Sequence, residues 1–368
     1  MKTVFITREG YKLSGARVRC YNFARELVKY SVETEIFSFA DSLCAESGEN
    51  ELKMSFLKKL KFNALALKAL SKKIDKDTII FMQRLNYHSL TPFLITLFRH
   101  NKFIFDCDDW NIRENPKYYL GFYPSSKMEY LTRKIARYAD ICIAASSFLE
   151  NYLKKFNPRV YYLPTGVDAN IFNPVNFTPS DNSKIVFSWI GTVYHPEMQE
   201  NLKFILSCFS ILADKFDHVF LSLAGEGRYY QAIQNEAKTL KCSKRIIFSS
   251  WINPEAIPEY LSKIDVGLLP LIQNSNFNQA KSPTKLFEYM SMAKPTVSSN
   301  IGEAKNIIRH GQTGFLAKNQ DEFVSCMSEL VQRPQLRQEM GNLARGQVLQ
   351  NYSLAVLGKN LYEILSCL

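Results

Sequence analysis

Leu163-Pro164-Thr165-Gly166-Val167-Asp168, continuing through Phe172-Asn173-Pro174 to Asn182, is the stretch that divides this chain. It is rich in Pro, Asn, Ser and Thr and carries no helical period, as an interdomain connector should. On both sides of it, short β-rich runs alternate with helical patterns. The strand candidates before it are Val4–Thr7, Val32–Phe37, Thr78–Met82, Lys102–Asp106, Ile141–Ala144 and Val160–Leu163. Between them Cys20, Phe23, Ala24, Leu27 and Val28, and then Leu131, Ile135 and Tyr138, recur at helical spacing. After the connector the strands are Lys184–Ile190, Val219–Ala224, Arg245–Ser249, Val266–Leu269 and Pro295–Ser298. Helical patterns over Asp321–Val331, Gln335–Val348 and Leu354–Leu365 close the chain. Strands separated by helices imply parallel sheets with crossover helices. The fold expected is α/β, with two doubly wound domains over residues 1–163 and 183–350. Residues 164–182 are the linker, and 351–368 form a last helix that can pack back on the N-terminal domain.

A length of 368 residues agrees with two domains of ordinary size. The longest apolar candidate, around Phe204 to Ala213, is too short to span a bilayer. The apolar Thr3–Thr7 is followed at once by Arg8 and Glu9, which reads as a first strand rather than a signal peptide. Cysteines stand at 20, 44, 107, 142, 208, 242, 326 and 367, with no Cys-x-x-Cys or Cys/His cluster. Neither a zinc site nor a disulfide framework is indicated, and reduced thiols in a cytoplasmic protein are expected.

The net charge of +11 suits nucleic acid, anionic lipid or phosphorylated ligands. No nucleic-acid reader motif accompanies it, so nucleic acid is not an expected partner. Between Lys53 and Ile74 there are seven lysines and no acid. On a helical wheel Lys58, Lys59, Lys61, Lys68, Lys72 and Lys73 fall on one half, and Leu57, Leu60, Ala64, Leu67, Leu70 and Ile74 on the other. Such a helix is either a surface helix with a solvated lysine face or an amphipathic helix peripheral to an anionic membrane.

Open α/β sheets bind ligands beyond the carboxyl ends of their strands, so three segments there are candidate sites. After the first strand comes Arg8-Glu9-Gly10-Tyr11-Lys12-Leu13-Ser14-Gly15-Ala16-Arg17-Val18-Arg19. Its glycines admit a ligand to the backbone, and Arg17 and Arg19 in a first helical turn suit an anion there. An exposed turn with solvated arginines reads equally from the same residues. The spacing is not Gly-x-Gly-x-x-Gly, which counts against a nicotinamide dehydrogenase. Asp106-Cys107-Asp108-Asp109-Trp110 puts three carboxylates in four residues. They could bind a cation, supply a base or cap a helix. Ala280-Lys281-Ser282-Pro283-Thr284-Lys285 precedes an apolar helix, with Ser282 as expected N-cap and Pro283 as first helical residue. Backbone N–H groups with Lys281 and Lys285 suit phosphate oxygens. Thr284, Lys285 and Glu288 share a helix face, from which Glu288 can accept from ribose hydroxyls. A capped surface helix with an exposed Lys–Glu pair is the plainer alternative.

Ser282-Pro283-Thr284-Lys285-Leu286-Phe287-Glu288-Tyr289-Met290, followed by Lys294-Pro295-Thr296-Val297, resembles the donor motif of family-4 retaining glycosyltransferases with the GT-B fold. Leu163 to Asp168 with Phe172 and Pro174 resembles that family's interdomain crossing, and Trp189-Ile190-Gly191-Thr192 its first donor-domain strand and turn. Leu223-Ala224-Gly225-Glu226-Gly227, Asp265-Val266-Gly267-Leu268-Leu269-Pro270 and Gly311-Gln312-Thr313-Gly314-Phe315-Leu316 follow in the family's usual order.

The resemblance implies two Rossmann-like domains facing each other across a cleft, and transfer of a sugar from a nucleotide-sugar to a glycan or lipid-linked acceptor with retention. The nucleotide-sugar is a substrate, and neither cofactor nor metal is implied. Glu288 would hold the ribose, and Lys285 with the amides of Ser282 to Thr284 would face the diphosphate. Gly191 and Thr192 would lie close to the same phosphates. The backbone near Ser250, Trp251 and Ile252 would meet the base. Arg17 and Arg19, with Gly15 nearby, would approach from the N-terminal domain, and Asp108 stands about where many members carry a histidine touching the sugar. Ala280 stands where the family's first motif glutamate would fall, and Ala293 where a glycine usually ends the helix. The Arg and Lys usual after the donor domain's first strand are not evident in Val193-Tyr194-His195-Pro196, and Lys281 with Lys285 would supply that charge. A nucleotide-sugar epimerase and a non-catalytic nucleotide-sugar-binding protein are the competing readings.

Overall fold

The computed structural model describes residues 1–46, 54–110, 124–177 and 183–368. Lys53 and the linker residues 178–182 lie outside the described residues. The described chain divides into two units. One comprises Met1–Thr165, Ala280–Ser282 and Leu354–Leu368; the other comprises Gly166–Gln279 and Pro283–Ser353.

The first unit is built on six parallel strands, β1 (Lys2–Thr7), β2 (Glu33–Ser38), β3 (Thr78–Gln83), β4 (Phe103–Cys107), β5 (Ile141–Ala144) and β6 (Val160–Tyr162), in the order β2-β1-β3-β4-β5-β6. Central strands read as unbroken apolar runs because both sheet faces are covered. Val4, Ile6, Ile80 and Met82 pack with Ala66 and Leu70 of helix Phe56–Leu70. Phe5, Ile79 and Phe81 pack instead with Phe23 and Leu27 of helix Asn22–Val28 and with Leu357 and Leu361 of helix Leu354–Ser366. The last helix belongs to this unit because Leu354, Leu357, Leu361, Ile364 and Leu365 make one apolar stripe that needs a partner.

The lysine segment is rotated differently from what its hydropathy pattern predicts. Helix Phe56–Leu70 buries Asn63, Ala66 and Leu70. Leu57 and Leu60, expected on the inner half, are exposed. Lys59, expected on the outer half, is half-buried, with its ammonium 5.8 Å from the Tyr87 ring centroid. The inner face is set by Asn63, whose amide donates to Tyr87 O at 3.0 Å and whose oxygen accepts from Thr91 Oγ1 at 2.8 Å. One buried, hydrogen-bonded asparagine thus fixes the rotation of the helix against its hydrophobic pattern. Lys72 and Lys73 follow the helix rather than extend it.

The second unit has strands β7 (Ile185–Thr192), β8 (Val219–Glu226), β9 (Ile246–Ser249), β10 (Val266–Leu269), β11 (Thr296–Ser299) and β12 (Phe315–Ala317), all parallel. Their order is β12-β11-β10-β7-β8-β9. Phe187, Trp189, Leu221 and Leu223 of the sheet pack on Leu202, Leu206 and Phe209 of helix Pro196–Lys215. β12 was not expected as a strand: three residues are too few to show alternation. β7 runs two residues past its expected end, to Thr192, pairing Gly191 with Gly225. A Cβ on Gly225 would lie 1.9 Å from Gly191 O, so only glycine allows that close pairing.

Strand order reverses direction between β1 and β3 in the first unit and between β7 and β10 in the second. At such switch points the loops leaving adjacent strands part to opposite faces and open a crevice.

Candidate functional site

In the second unit the crevice is formed by the end of β7 and by helix Thr284–Ser291. Trp189 is buried in β7, and the Lys285 ammonium lies 4.2 Å from its ring centroid. The same ammonium rests on Gly191, where an added Cβ would stand 2.5 Å from Nζ. A cation in the first turn of a helix opposes the helix dipole, and an anion bound between the two reverses that penalty. Trp189, Gly191, Thr192 and Lys285 therefore form a cradle suited to phosphate.

Tyr289 fixes the helix that carries Lys285. It is fully buried, and a Cβ on Gly267 of β10 would stand 2.3 Å from its ring. Glu288, on the same helix, is buried as well. Thr192 is exposed, as is Trp251 in the loop after β9, with Ile252 half-buried beside it. That loop is anchored by the Tyr230 hydroxyl, which lies 2.9 Å from Ser249 O and 2.7 Å from Leu223 O.

One expectation about the motif is corrected. Ser282 is not the N-cap: Pro283 occupies that position at φ −82° and ψ 81° without a side-chain cap, and the helix begins at Thr284. The Ser282 hydroxyl accepts instead from Thr165 N at 2.9 Å, and a serine so engaged is not available to the helix. Lys281 and Lys285 fall in different units of the chain. Ala280, Lys281 and Ser282 belong to the first unit, where Ala280 is buried in the core and the charge of Lys281 acts on Asp109.

In the first unit the polar residues at the ends of β1, β3 and β4 form one network. Asp108 accepts from Arg84 Nε at 2.5 Å and from Gln83 Nε2 at 2.8 Å. Gln83 also donates to Gly15 O at 2.9 Å and accepts from Thr7 Oγ1 at 2.7 Å. Arg84 reaches Glu9 at 3.7 Å and Asp109 at 3.8 Å. Gly15, expected beside the donor, lies against this network: an added Cβ would stand 2.9 Å from Glu9 Oε2 and 3.0 Å from Arg84 Nη2. Arg84 itself takes φ 55°, a left-handed conformation that costs a non-glycine residue on the order of 1 kcal/mol. Burial pushes the Asp109 carboxyl above its usual range, against the pull of Arg84 and Lys281.

Arg19, expected to approach an anion, is buried. It donates through Nε to Asp106 at 3.0 Å, contacts the other carboxylate oxygen through Nη2, and gives Nη1 to Leu163 O at 2.7 Å. A π-helical turn over Arg17–Tyr21 turns this side chain inward. Burial pushes the Asp106 carboxyl up to about 6, against the opposing pull of Arg19. Arg17 is half-buried and donates to Tyr11 O at 3.3 Å and Lys12 O at 3.1 Å, bracing the loop before it. Sequence reasoning did not single out Gln83 and Arg84. The available signal was a charged residue immediately after an apolar strand at a sheet's switch point.

Residues 184–333 match the family model described as Glycosyl transferases group 1. The putative teichuronic acid biosynthesis glycosyltransferase TuaH of Bacillus subtilis (strain 168) is 25% identical over 224 residues, covering 57% of this chain and 53% of that protein. The GDP-mannose-dependent alpha-(1-6)-phosphatidylinositol monomannoside mannosyltransferase of Mycolicibacterium smegmatis is 21% identical over 248 residues, covering 64% of each. The chain thus spans between about half and two-thirds of the length of these two relatives. Among solved structures, Anabaena Alr3699/HepE in complex with UDP-glucose agrees at a TM-score of 0.74 over 100% of both chains, with 15% identity. A glycosyltransferase from Rickettsia africae ESF-5 agrees at 0.74 over 99% of this chain and 97% of its own, with 17% identity. The chain has the α/β fold of these GT-B glycosyltransferases.

Proposed function

We propose that this chain, whose residues 184–333 carry the group 1 match, transfers a sugar from a nucleotide-sugar to a glycan or lipid-linked acceptor with retention of anomeric configuration. The observation that carries the reading is Lys285, seated on Trp189 and Gly191 at the start of helix Thr284–Ser291. Solved complexes of the structural neighbour HepE contain UDP and UDP-glucose, which supports a diphosphate in a cradle of this kind. In this reading Lys285 and the first helical amides hold the diphosphate beside Gly191 and Thr192. Glu288 accepts from the ribose, and the backbone around Trp251 and Ile252 meets the base.

The bond from the anomeric carbon to the diphosphate oxygen breaks as the acceptor oxygen bonds to that carbon on the same face. The acceptor proton passes to the departing diphosphate. Negative charge grows on the phosphate oxygens, where a fixed ammonium and helix N-terminus stabilise it most, and no metal or cofactor is invoked. Asp108 and Arg17 are proposed as the first unit's contribution, Asp108 held rigid by Arg84 and Gln83. Eight free thiols support a cytoplasmic location.

The test is a panel of UDP-, GDP- and ADP-sugars, with binding followed by calorimetry and the product's anomeric configuration read by NMR. Lys285→Ala and Glu288→Ala each weaken donor binding about tenfold or more, in line with the value of charge-assisted hydrogen bonds. Normal donor binding by both variants overturns the site. Conversion of free donor to its epimer without acceptor replaces the reading with an epimerase.

A further inference from the structure

The outward face of helix Phe56–Leu70 has a composition that a solvated surface does not require. At the helix start Phe56 is 72% exposed and Leu57 76%. Leu57, Lys61, Ala64 and Lys68 then follow at spacings of four, three and four, with Leu65 next to Ala64, and all are exposed. Apolar and basic side chains thus share one face, and no acid occurs between Lys53 and Ile74.

The lysines differ in their surroundings. Lys58 pairs with Glu46 and Lys73 with Glu35, while Lys59 turns inward over Tyr87. Lys61, Lys68 and Lys72 are exposed and make no ion pair with the described residues. The inner side of the helix is held by Asn63, Ala66 and Leu70, so the outward face is rigid before any partner arrives. The neighbouring helix Leu90–Arg99 is tied alongside through Arg99, which donates to Ser71 O at 3.0 Å, and it leaves Leu97 and Phe98 exposed.

We propose that this face docks the chain on the surface of an anionic lipid bilayer. Phe56, Leu57, Leu60 and Leu65 enter the boundary between headgroups and acyl chains. Lys61, Lys68 and Lys72 extend their alkyl stems along it and keep their ammonium groups among the phosphates. Charge complementarity selects this occupant. An acidic protein would satisfy the lysines but leave isolated leucines between them, whereas a headgroup layer over hydrocarbon accommodates both. Docking brings the chain to where a lipid-linked acceptor resides, a consequence that rests on the proposed function. The binding itself does not rest on it.

The test is flotation of the full chain with vesicles of phosphatidylcholine alone or mixed with phosphatidylglycerol, at low and high salt and without nucleotide. Binding to mixed vesicles only, weakened by salt, is expected. The combined Lys61→Gln, Lys68→Gln and Lys72→Gln variant loses on the order of a hundredfold in partitioning. Phe56→Ser with Leu57→Ser loses about tenfold or more on the same vesicles. All five positions are exposed, so circular dichroism and the thermal midpoint should stay as in the unaltered chain. Three results overturn the proposal: no binding, equal binding to neutral vesicles, or undiminished binding by both variants. Because no donor is present, failure here leaves the donor-site reading untouched.

Discussion

Lys285 sets its ammonium against the α-carbon of Gly191, so that a methyl group added at residue 191 would stand 2.5 Å from Nζ. The consequence is that Gly191→Ala displaces the lysine without removing its charge. Nucleotide affinity should fall about tenfold for Gly191→Ala and between about ten- and a hundredfold for Lys285→Ala, which loses a charge-assisted contact altogether. Calorimetric titration with UDP, GDP and ADP checks both. Wild-type affinity in Gly191→Ala would show that Lys285 is not positioned by this contact.

Arg84 and Asp108 form an ion pair with side chains 22% and 3% exposed. Removing one partner leaves the other buried and uncompensated, at a cost of about 3 kcal/mol. Asp108→Ala and Arg84→Ala should each lower stability by about that amount, and the double variant by clearly less than their sum. A coupling of about 2 kcal/mol in denaturant unfolding is the expected result. Additive effects would mean that the pair is held by Gln83, Glu9 and Asp109 rather than by its own attraction.

The sheets were legible in the sequence because strands buried on both faces read as plain apolar runs. Ile141–Ala144 and Val266–Leu269 have the same bounds in the sequence reading and in the structure. What sequence could not give depends on partners distant along the chain. Arg19 looks like an exposed cation until Asp106, 87 residues away, takes its guanidinium. Lys59 and Leu57 exchange the faces their hydropathy suggests because Asn63 is hydrogen-bonded to residues beyond β3. Ser282 has the chemistry of a cap, but Thr165 claims its hydroxyl. Local signals therefore located the candidate segments, and tertiary hydrogen bonds decided which side chains face outward.

His88 gives the first unit a pH dependence. Its Nε2–H donates to Gln83 O at 3.0 Å, which fixes the tautomer and leaves Nδ1 buried without a partner. Burial, with Arg8 and Arg84 nearby, lowers its pKa to about 3, whereas an unfolded histidine titrates near 6.5. The unfolded state binds the extra proton, so the contribution of neutral His88 is present above pH 6.5 and is lost as pH falls toward 3. Between pH 7 and pH 5 the loss should be about 2 kcal/mol. His88→Asn should be less stable at pH 7 yet flatter over that window. In the NMR spectrum one of the five histidines should show no protonation at pH 5. A His88 resonance titrating near 6 would overturn the assignment.

Ala293 ends helix Thr284–Ser291 with φ 54°, in the left-handed region where a side chain is strained. The turn cannot relax freely, because its carbonyl packs on helix Pro334–Asn351: a Cβ on Gly341 would stand 2.1 Å from Ala293 O. Ala293→Gly removes the strain and keeps the packing. It should raise stability by about 1 kcal/mol, partly offset by the greater freedom of glycine in the unfolded chain. In a thermal scan of the second unit's transition this corresponds to about 2–4 °C. An unchanged or lower midpoint would mean that the alanine methyl contributes more by packing than the left-handed turn costs it.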